Sequence, residues 1–126
     1  EEDNYKEVIS CTSERSDNMN NMKSMNVIDL KNLRESGTEH VLLDVRNDHE
    51  LAICTVEGSL HIPMNEIPER HSELMPDQKI IVLCKVGGRS AQVGNFLVEN
   101  GFTDVTNLDG GILSWIDQCD SSLAKY

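Results

Sequence analysis

The sequence predicts an α/β fold, with a central parallel sheet of about five strands and helices on both faces. Two observations carry this reading. From Met25 onward, short apolar and β-branched runs at 41–45 and 79–83, and a further strand at 105–108, alternate with segments of helical period. A glycine-rich segment bearing a thiol, Cys84-Lys85-Val86-Gly87-Gly88-Arg89, stands where the most apolar run passes into a helical one. In parallel sheets that position, at the carboxyl end of a strand, is where ligands bind.

Each element has its own signal. Asn26 is a good N-cap, and Val27, Leu30 and Leu33 form a helical stripe that Gly37 ends. Residues 41–45 read as a strand buried on both faces. Residues 47–53 suit a short helix, 59–62 a brief strand stopped by Pro63, and 66–74 one or two helical turns closed near Pro76. Residues 79–83 form the most convincing central strand. The helix that follows, 90–100, turns Ala91, Val93, Phe96, Leu97 and Val98 inward and stops at Gly101. After the strand at 105–108, Gly110 and Gly111 open a last helix carrying Ile112, Trp115 and Ile116. Residues 1–24, rich in Glu, Asn, Ser and Asp and without a period, read as a flexible arm or linker, Val8 and Ile9 being its only candidates for a docked piece. Residues 25–126 are the expected domain.

Composition narrows the function. A chain of 126 residues fits one domain whose core needs no metal or disulfide support. Its formal charge of −11 argues against nucleic acid and anionic membrane surfaces as partners, and no apolar run approaches the ~20 residues of a membrane span. The four cysteines, Cys11, Cys54, Cys84 and Cys119, form no CxxC pair and have no zinc-type spacing with the four histidines. The reading is therefore a reducing, cytoplasmic setting with no metal, no cofactor and one special thiol. His40, His49, His61 and His71 show no spacing to a cysteine that marks a general base.

The special thiol is Cys84. Above a strand end and at the start of a helix it faces unpaired backbone N–H groups and the partial positive charge of a helix N-terminus, which stabilise a thiolate or a bound anion. Lys85 and Arg89 add cationic charge of the kind found around reactive cysteines. Gly87 and Gly88 let the backbone curl so that the amides of residues 85–89 converge on the sulfur. Cys84 is thus the candidate nucleophile, and Lys85, Val86, Gly87, Gly88 and Arg89 the candidate anion cradle. Lys85 is assigned to attracting a reactant, Arg89 to shaping the loop and its field.

From about residue 25 to 126 the chain resembles the rhodanese-like domains. Four segments carry the resemblance in order: Leu43-Asp44-Val45-Arg46 with Glu50; Gly58-Ser59-Leu60-His61-Ile62-Pro63; Cys84 to Arg89 followed by Ser90 and Ala91; and Leu108-Asp109-Gly110-Gly111 with Trp115. The resemblance implies a sulfurtransferase that takes sulfane sulfur from a donor, thiosulfate or a protein persulfide, carries it as a persulfide on Cys84, and passes it to a nucleophilic acceptor. The tail from Trp115 to Tyr126 is similar to rhodanese modules fused behind an adenylyltransferase of the ubiquitin-activating-like superfamily, which implies a ubiquitin-like sulfur carrier as acceptor and an adenylyltransferase domain as partner. Val86 departs from the small polar residue common at that loop position, which points to modest activity with thiosulfate.

Plainer roles compete. Arg89 suits a purely structural tie as well as a substrate contact. Asp44 and Arg46, with Ser90, are supporting residues, and Arg46 is expected to pair with a carboxylate at the strand-to-helix turn. His61 and Trp115 are expected to pack, and Cys54 to be a spectator unless it lies close enough to resolve the persulfide. The rival chemistry is a phosphatase or arsenate reductase, but phosphatases of related architecture carry a loop one residue longer. Here four residues separate Cys84 from Arg89, and Ser90 stands where their arginine would be. A non-catalytic interaction module of the same fold is the other alternative; such modules usually lack the cysteine or the loop glycines.

Overall fold

A computed structural model describes residues 22–126. The arm before residue 22, with Val8, Ile9 and Cys11, lies outside the described residues. In chain order the elements are β1 (Met22–Met25), α1 (Val27–Glu35), β2 (Val41–Asp44), α2 (Asp48–Ile53), β3 (Leu60–His61), a 3-10 turn (Met64–Glu66), α3 (Ile67–Arg70), a second 3-10 turn (His71–Glu73), β4 (Ile80–Leu83), α4 (Gly88–Glu99), β5 (Val105–Leu108) and α5 (Gly111–Gln118). The five strands are all parallel, in the order β1-β5-β4-β2-β3.

β4 lies at the centre, and all four of its residues are buried. Because side chains alternate across a strand, the sheet feeds two cores. Leu43, Ile80, Val82 and Cys84 pack with Val93, Phe96 and Leu97 of α4 and Ile67 of α3. Leu42, Ile81 and Leu83 pack with Val27 and Leu30 of α1 and with Ile112, Trp115 and Ile116 of α5. Each face thus buries a helical stripe read from the sequence. Trp115 is 8% exposed and belongs to this core.

Local signals set the helix ends. The Asn26 side chain accepts the Asp29 N–H at 2.8 Å and caps α1. Glu50 reaches back to the Asn47 N–H at 3.0 Å and closes the start of α2. Gly87, at φ +112°, turns the chain so that α4 begins at Gly88, two residues before the predicted start.

One boundary differs from the expectation. Residues 22–24, assigned to the arm, form most of β1, which pairs Met22 with Val105 and Met25 with Leu108. The segment is short and half polar, as an edge strand can be, and it is held by backbone pairing and by a Lys23–Asp104 ion pair at 3.0 Å. Nothing in its side-chain pattern distinguishes it from the polar residues before it.

Candidate functional site

Cys84 follows β4 directly and is 1% exposed. Its Sγ accepts the Gly87 N–H at 3.0 Å and lies 3.4 Å from Ser90 Oγ. The left-handed turn at Gly87 aims that amide at the sulfur, a backbone conformation that a residue with a Cβ rarely adopts. Since α4 begins at Gly88, the amides of its first turn have no helical carbonyl partner and leave a positive helix end beside the loop.

Ser90 is fully buried behind the sulfur. Its hydroxyl donates toward Asn107 Oδ1 at 2.5 Å and the Gly87 carbonyl at 3.1 Å. Asn107 Nδ2 in turn donates to Asp109 Oδ1 at 3.3 Å. Loop, helix and the end of β5 are therefore tied together around Cys84.

The start of α5 clamps the same loop from the other side. The Ile112 and Leu113 N–H groups donate to the Cys84 and Lys85 carbonyls at 2.8 and 3.2 Å. Gly111, at φ +60°, comes so close that a Cβ there would overlap those two carbonyl oxygens. This gives the paired glycines after Asp109 a specific purpose, since their backbone is the seat of the thiol loop.

Arg89 points to a carboxylate. Its guanidinium meets Glu50 fork to fork, Nη1 to Oε1 at 2.8 Å and Nη2 to Oε2 at 3.0 Å. Glu50 also accepts the Asn47 N–H and the Tyr126 hydroxyl, so its carboxylate takes four hydrogen bonds. The Arg89 guanidinium, against the opposing effect of burial, holds the Glu50 carboxyl down at about 2. The free cationic field expected of Arg89 is thus largely compensated, and the contact ties the end of the loop to α2.

Arg46 and Asp44 form a second, fully buried pair at 2.7 Å. The Arg46 guanidinium also donates to the Cys54 carbonyl at 2.9 Å and the Tyr126 hydroxyl at 3.1 Å. His61, expected only to pack, places its Nε2 2.7 Å from the Arg46 carbonyl and so ties β3 to the turn after β2. Among the described residues this layer meets the loop through Glu50, which pairs with Arg89, and through Tyr126, whose ring faces Lys85. Cys54 packs in the core on the opposite face of the sheet from Cys84, which does not favour a resolving role.

Of the residues read from the sequence, the structure gathers Cys84, Gly87 and Ser90 directly about the sulfur. Arg89 closes the loop against Glu50, and Asp44 and Arg46 stand one layer below. Lys85 Nζ rests 4.6 Å from the centre of the Tyr126 ring, and Val86 is 60% exposed at the loop tip. Two contributors escaped the sequence reading, Asn107 and Tyr126. Asn107 had a signal, a polar side chain near the end of a strand otherwise fit for burial; Tyr126 had none.

The sequence profile of the rhodanese-like domain family matches residues 26–118. The chain belongs to that family. A sulfurtransferase of Allochromatium vinosum is 39% identical over 94 residues, a match that covers 72% of this chain and 88% of that protein. Adenylyltransferase and sulfurtransferase MOCS3 of Sus scrofa is 30% identical over 122 residues, covering 81% of this chain; the chain spans only 27% of that protein's length. The crystal structure of a rhodanese-like domain protein from Staphylococcus aureus superposes with a TM-score of 0.73 at 31% identity, over 83% of this chain and 99% of that one. Fold and family therefore agree with the geometry at the end of β4.

Proposed function

We propose that this rhodanese-like domain is a sulfurtransferase that carries sulfane sulfur as a persulfide on Cys84. The observation that carries the reading is the placement of the Cys84 sulfur at the carboxyl end of β4, under the Gly87 N–H at 3.0 Å. In the first half-reaction the Cys84 thiolate attacks the outer sulfur of the donor. With thiosulfate, a new S–S bond forms, the donor's S–S bond breaks, and sulfite leaves with the electron pair. In the second, a nucleophile attacks the outer sulfur of the persulfide and the Cys84 thiolate departs. No net redox change occurs across the cycle, and a covalent intermediate divides one transfer into two. Amides of the loop and of the first turn of α4 supply hydrogen bonds where negative charge develops on sulfur.

The exposed apolar Val86 offers a small dianion no hydroxyl and the Arg89 charge is compensated, so of the loop's cations only Lys85 is left for it among the described residues, which supports a protein persulfide as the preferred donor. The acceptor in this reading is a ubiquitin-like sulfur carrier activated by an adenylyltransferase domain, as the resemblance of the tail from Trp115 to Tyr126 to fused rhodanese modules implies. A cytoplasmic setting is part of the same reading and rests on free thiols at Cys54, Cys84 and Cys119. Among the described residues no helix is long and apolar enough to cross a membrane.

Incubation with thiosulfate followed by cyanide tests the reaction. Thiocyanate is expected from the wild type and not from Cys84→Ser, with a mass gain of one sulfur on the peptide bearing Cys84 before cyanide is added. No persulfide with thiosulfate or with a protein persulfide donor would leave an interaction module. Cys84-dependent hydrolysis of an aryl phosphate would instead establish the phosphatase chemistry.

A further inference from the structure

Tyr126 lies outside the loop motif, yet it touches three charged groups around the loop. Its hydroxyl donates to Glu50 Oε2 at 2.7 Å and accepts from Arg46 Nη1 at 3.1 Å. Lys85 Nζ stands 4.6 Å from its ring centre, within cation–π range. Burial, with the Glu50 carboxylate accepting the proton, pushes the phenol up to about 12, so it stays a neutral donor through the ordinary pH range.

The segment bearing Tyr126 is itself fastened. The Cys119 and Asp120 N–H groups donate to the Trp115 carbonyl at 2.8 and 3.0 Å, and Leu123 and Tyr126 pack on the core beneath Trp115. Lys125 pairs with Asp117 of α5.

The charges around the ring are unevenly matched. Asp44 answers Arg46 and Glu50 answers Arg89, whereas Lys85 meets no carboxylate among the described residues. Lys85 is therefore the cation left to act on an incoming anion, and the Tyr126 ring fixes where it sits. A lysine stem is flexible, and without a partner its ammonium spreads through solvent.

We propose that Tyr126 is a positioning residue for the Cys84 loop, its ring seating the Lys85 ammonium and its hydroxyl bracing the Glu50–Arg89 pair. The proposal rests on the sulfurtransferase reading for its purpose, since a seated cation serves to draw an anionic donor or acceptor to Cys84. The two halves of the side chain do separable work. Tyr126→Phe keeps the ring and removes the brace, while Tyr126→Leu removes both.

The test compares alkylation of Cys84 by iodoacetate, an anion, with alkylation by iodoacetamide, its neutral analogue. The ratio of the two rates reports the cationic field at the sulfur and cancels changes in thiol access. It is expected to fall about threefold in Tyr126→Leu and in Lys85→Met, in keeping with an exposed cation–π contact, and no further in the double variant. Tyr126→Phe is expected to keep the wild-type ratio while its urea midpoint drops. An unchanged ratio in Tyr126→Leu, or additive losses in the double variant, would overturn the seat; an unchanged midpoint in Tyr126→Phe would overturn the brace. The alkylation ratio does not depend on sulfur transfer. A wild type that fails cyanolysis while the ratios behave as stated removes the sulfurtransferase reading and leaves the positioning role standing. A wild type that passes cyanolysis with a flat ratio does the reverse.

Discussion

Arg89 and Glu50 hold each other through two parallel hydrogen bonds, 2.8 and 3.0 Å, across 39 positions of sequence. The pair joins the end of the Cys84 loop to the start of α2, so the loop is anchored to a carboxylate. Arg89 is 33% exposed and Glu50 only 7%, which places the carboxylate on the dry side of the contact.

That asymmetry gives a pH signature. The Glu50 carboxyl is held down at about 2 by Arg89, against an ordinary value of 4.5. Between those values the unfolded chain binds the proton that the folded chain refuses, so stability falls as pH is lowered from about 4.5 toward about 2. Glu50→Gln removes that dependence and leaves the Arg89 guanidinium without its partner, at a cost of about 2 kcal/mol near neutral pH. Urea unfolding across pH should show the wild type and variant curves converging as pH approaches about 2. Parallel curves would mean that Glu50 does not carry the effect.

Gly111 should be among the least replaceable residues of the loop's surroundings. A Cβ there would overlap the carbonyl oxygens of Cys84 and Lys85, and the residue sits at φ +60°. Gly111→Ala must therefore displace either α5 or the loop, and should cost about 2–4 kcal/mol together with persulfide formation. Gly37→Ala is the matched control, because it has a positive φ of +80° and open space around it. It should cost only about 1 kcal/mol and leave transfer intact. Urea midpoints and thiosulfate–cyanide rates of the two variants check the contrast.

Much of this was legible in the sequence, and the reasons are local. β2 and β4 are mostly apolar runs buried on both faces, β5 is a short buried run bounded by Val105 and Leu108, and α1, α4 and α5 carry helical stripes, so period and capping sufficed. Cys84, Gly87 and Ser90 lie within seven residues, and their meeting follows from a strand turning into a helix. β1 was illegible because its place depends on pairing with β5, far along the chain. The Glu50–Arg89 partnership and the reach of Tyr126 to Glu50, 76 positions away, are tertiary facts that no spacing rule encodes. Asn107 stood in plain view but without its partner, since only the fold brings Ser90 within 2.5 Å of it.

The Asp44–Arg46 pair should behave as architecture. Both side chains are fully buried, and Arg46 also holds the Cys54 carbonyl. Asp44→Asn leaves a buried guanidinium short of charge and should cost about 3–5 kcal/mol, whereas replacing both residues by apolar ones of similar volume should cost clearly less than the two single losses combined. Sulfur transfer per folded molecule, measured well below the unfolding temperature, should stay within about twofold of wild type in Asp44→Asn. A drop of a hundredfold or more at equal folded fraction would make Asp44 a participant in the chemistry.

Val86 offers the cleanest test of donor choice, because its side chain is 60% exposed at the loop tip and carries little of the fold. A hydroxyl at this position could hydrogen-bond a small oxyanion, and one such bond to a charged group is worth about 1.5 kcal/mol or more. Val86→Ser should therefore lower the KM for thiosulfate about tenfold, with kcat within about threefold, and change the unfolding free energy by no more than about 0.5 kcal/mol. The interaction would act on binding the donor, in advance of S–S cleavage, which is why the change belongs in KM. If kcat rises while KM stays fixed, the hydroxyl acts in the transfer itself; if neither moves, the loop tip does not select the donor.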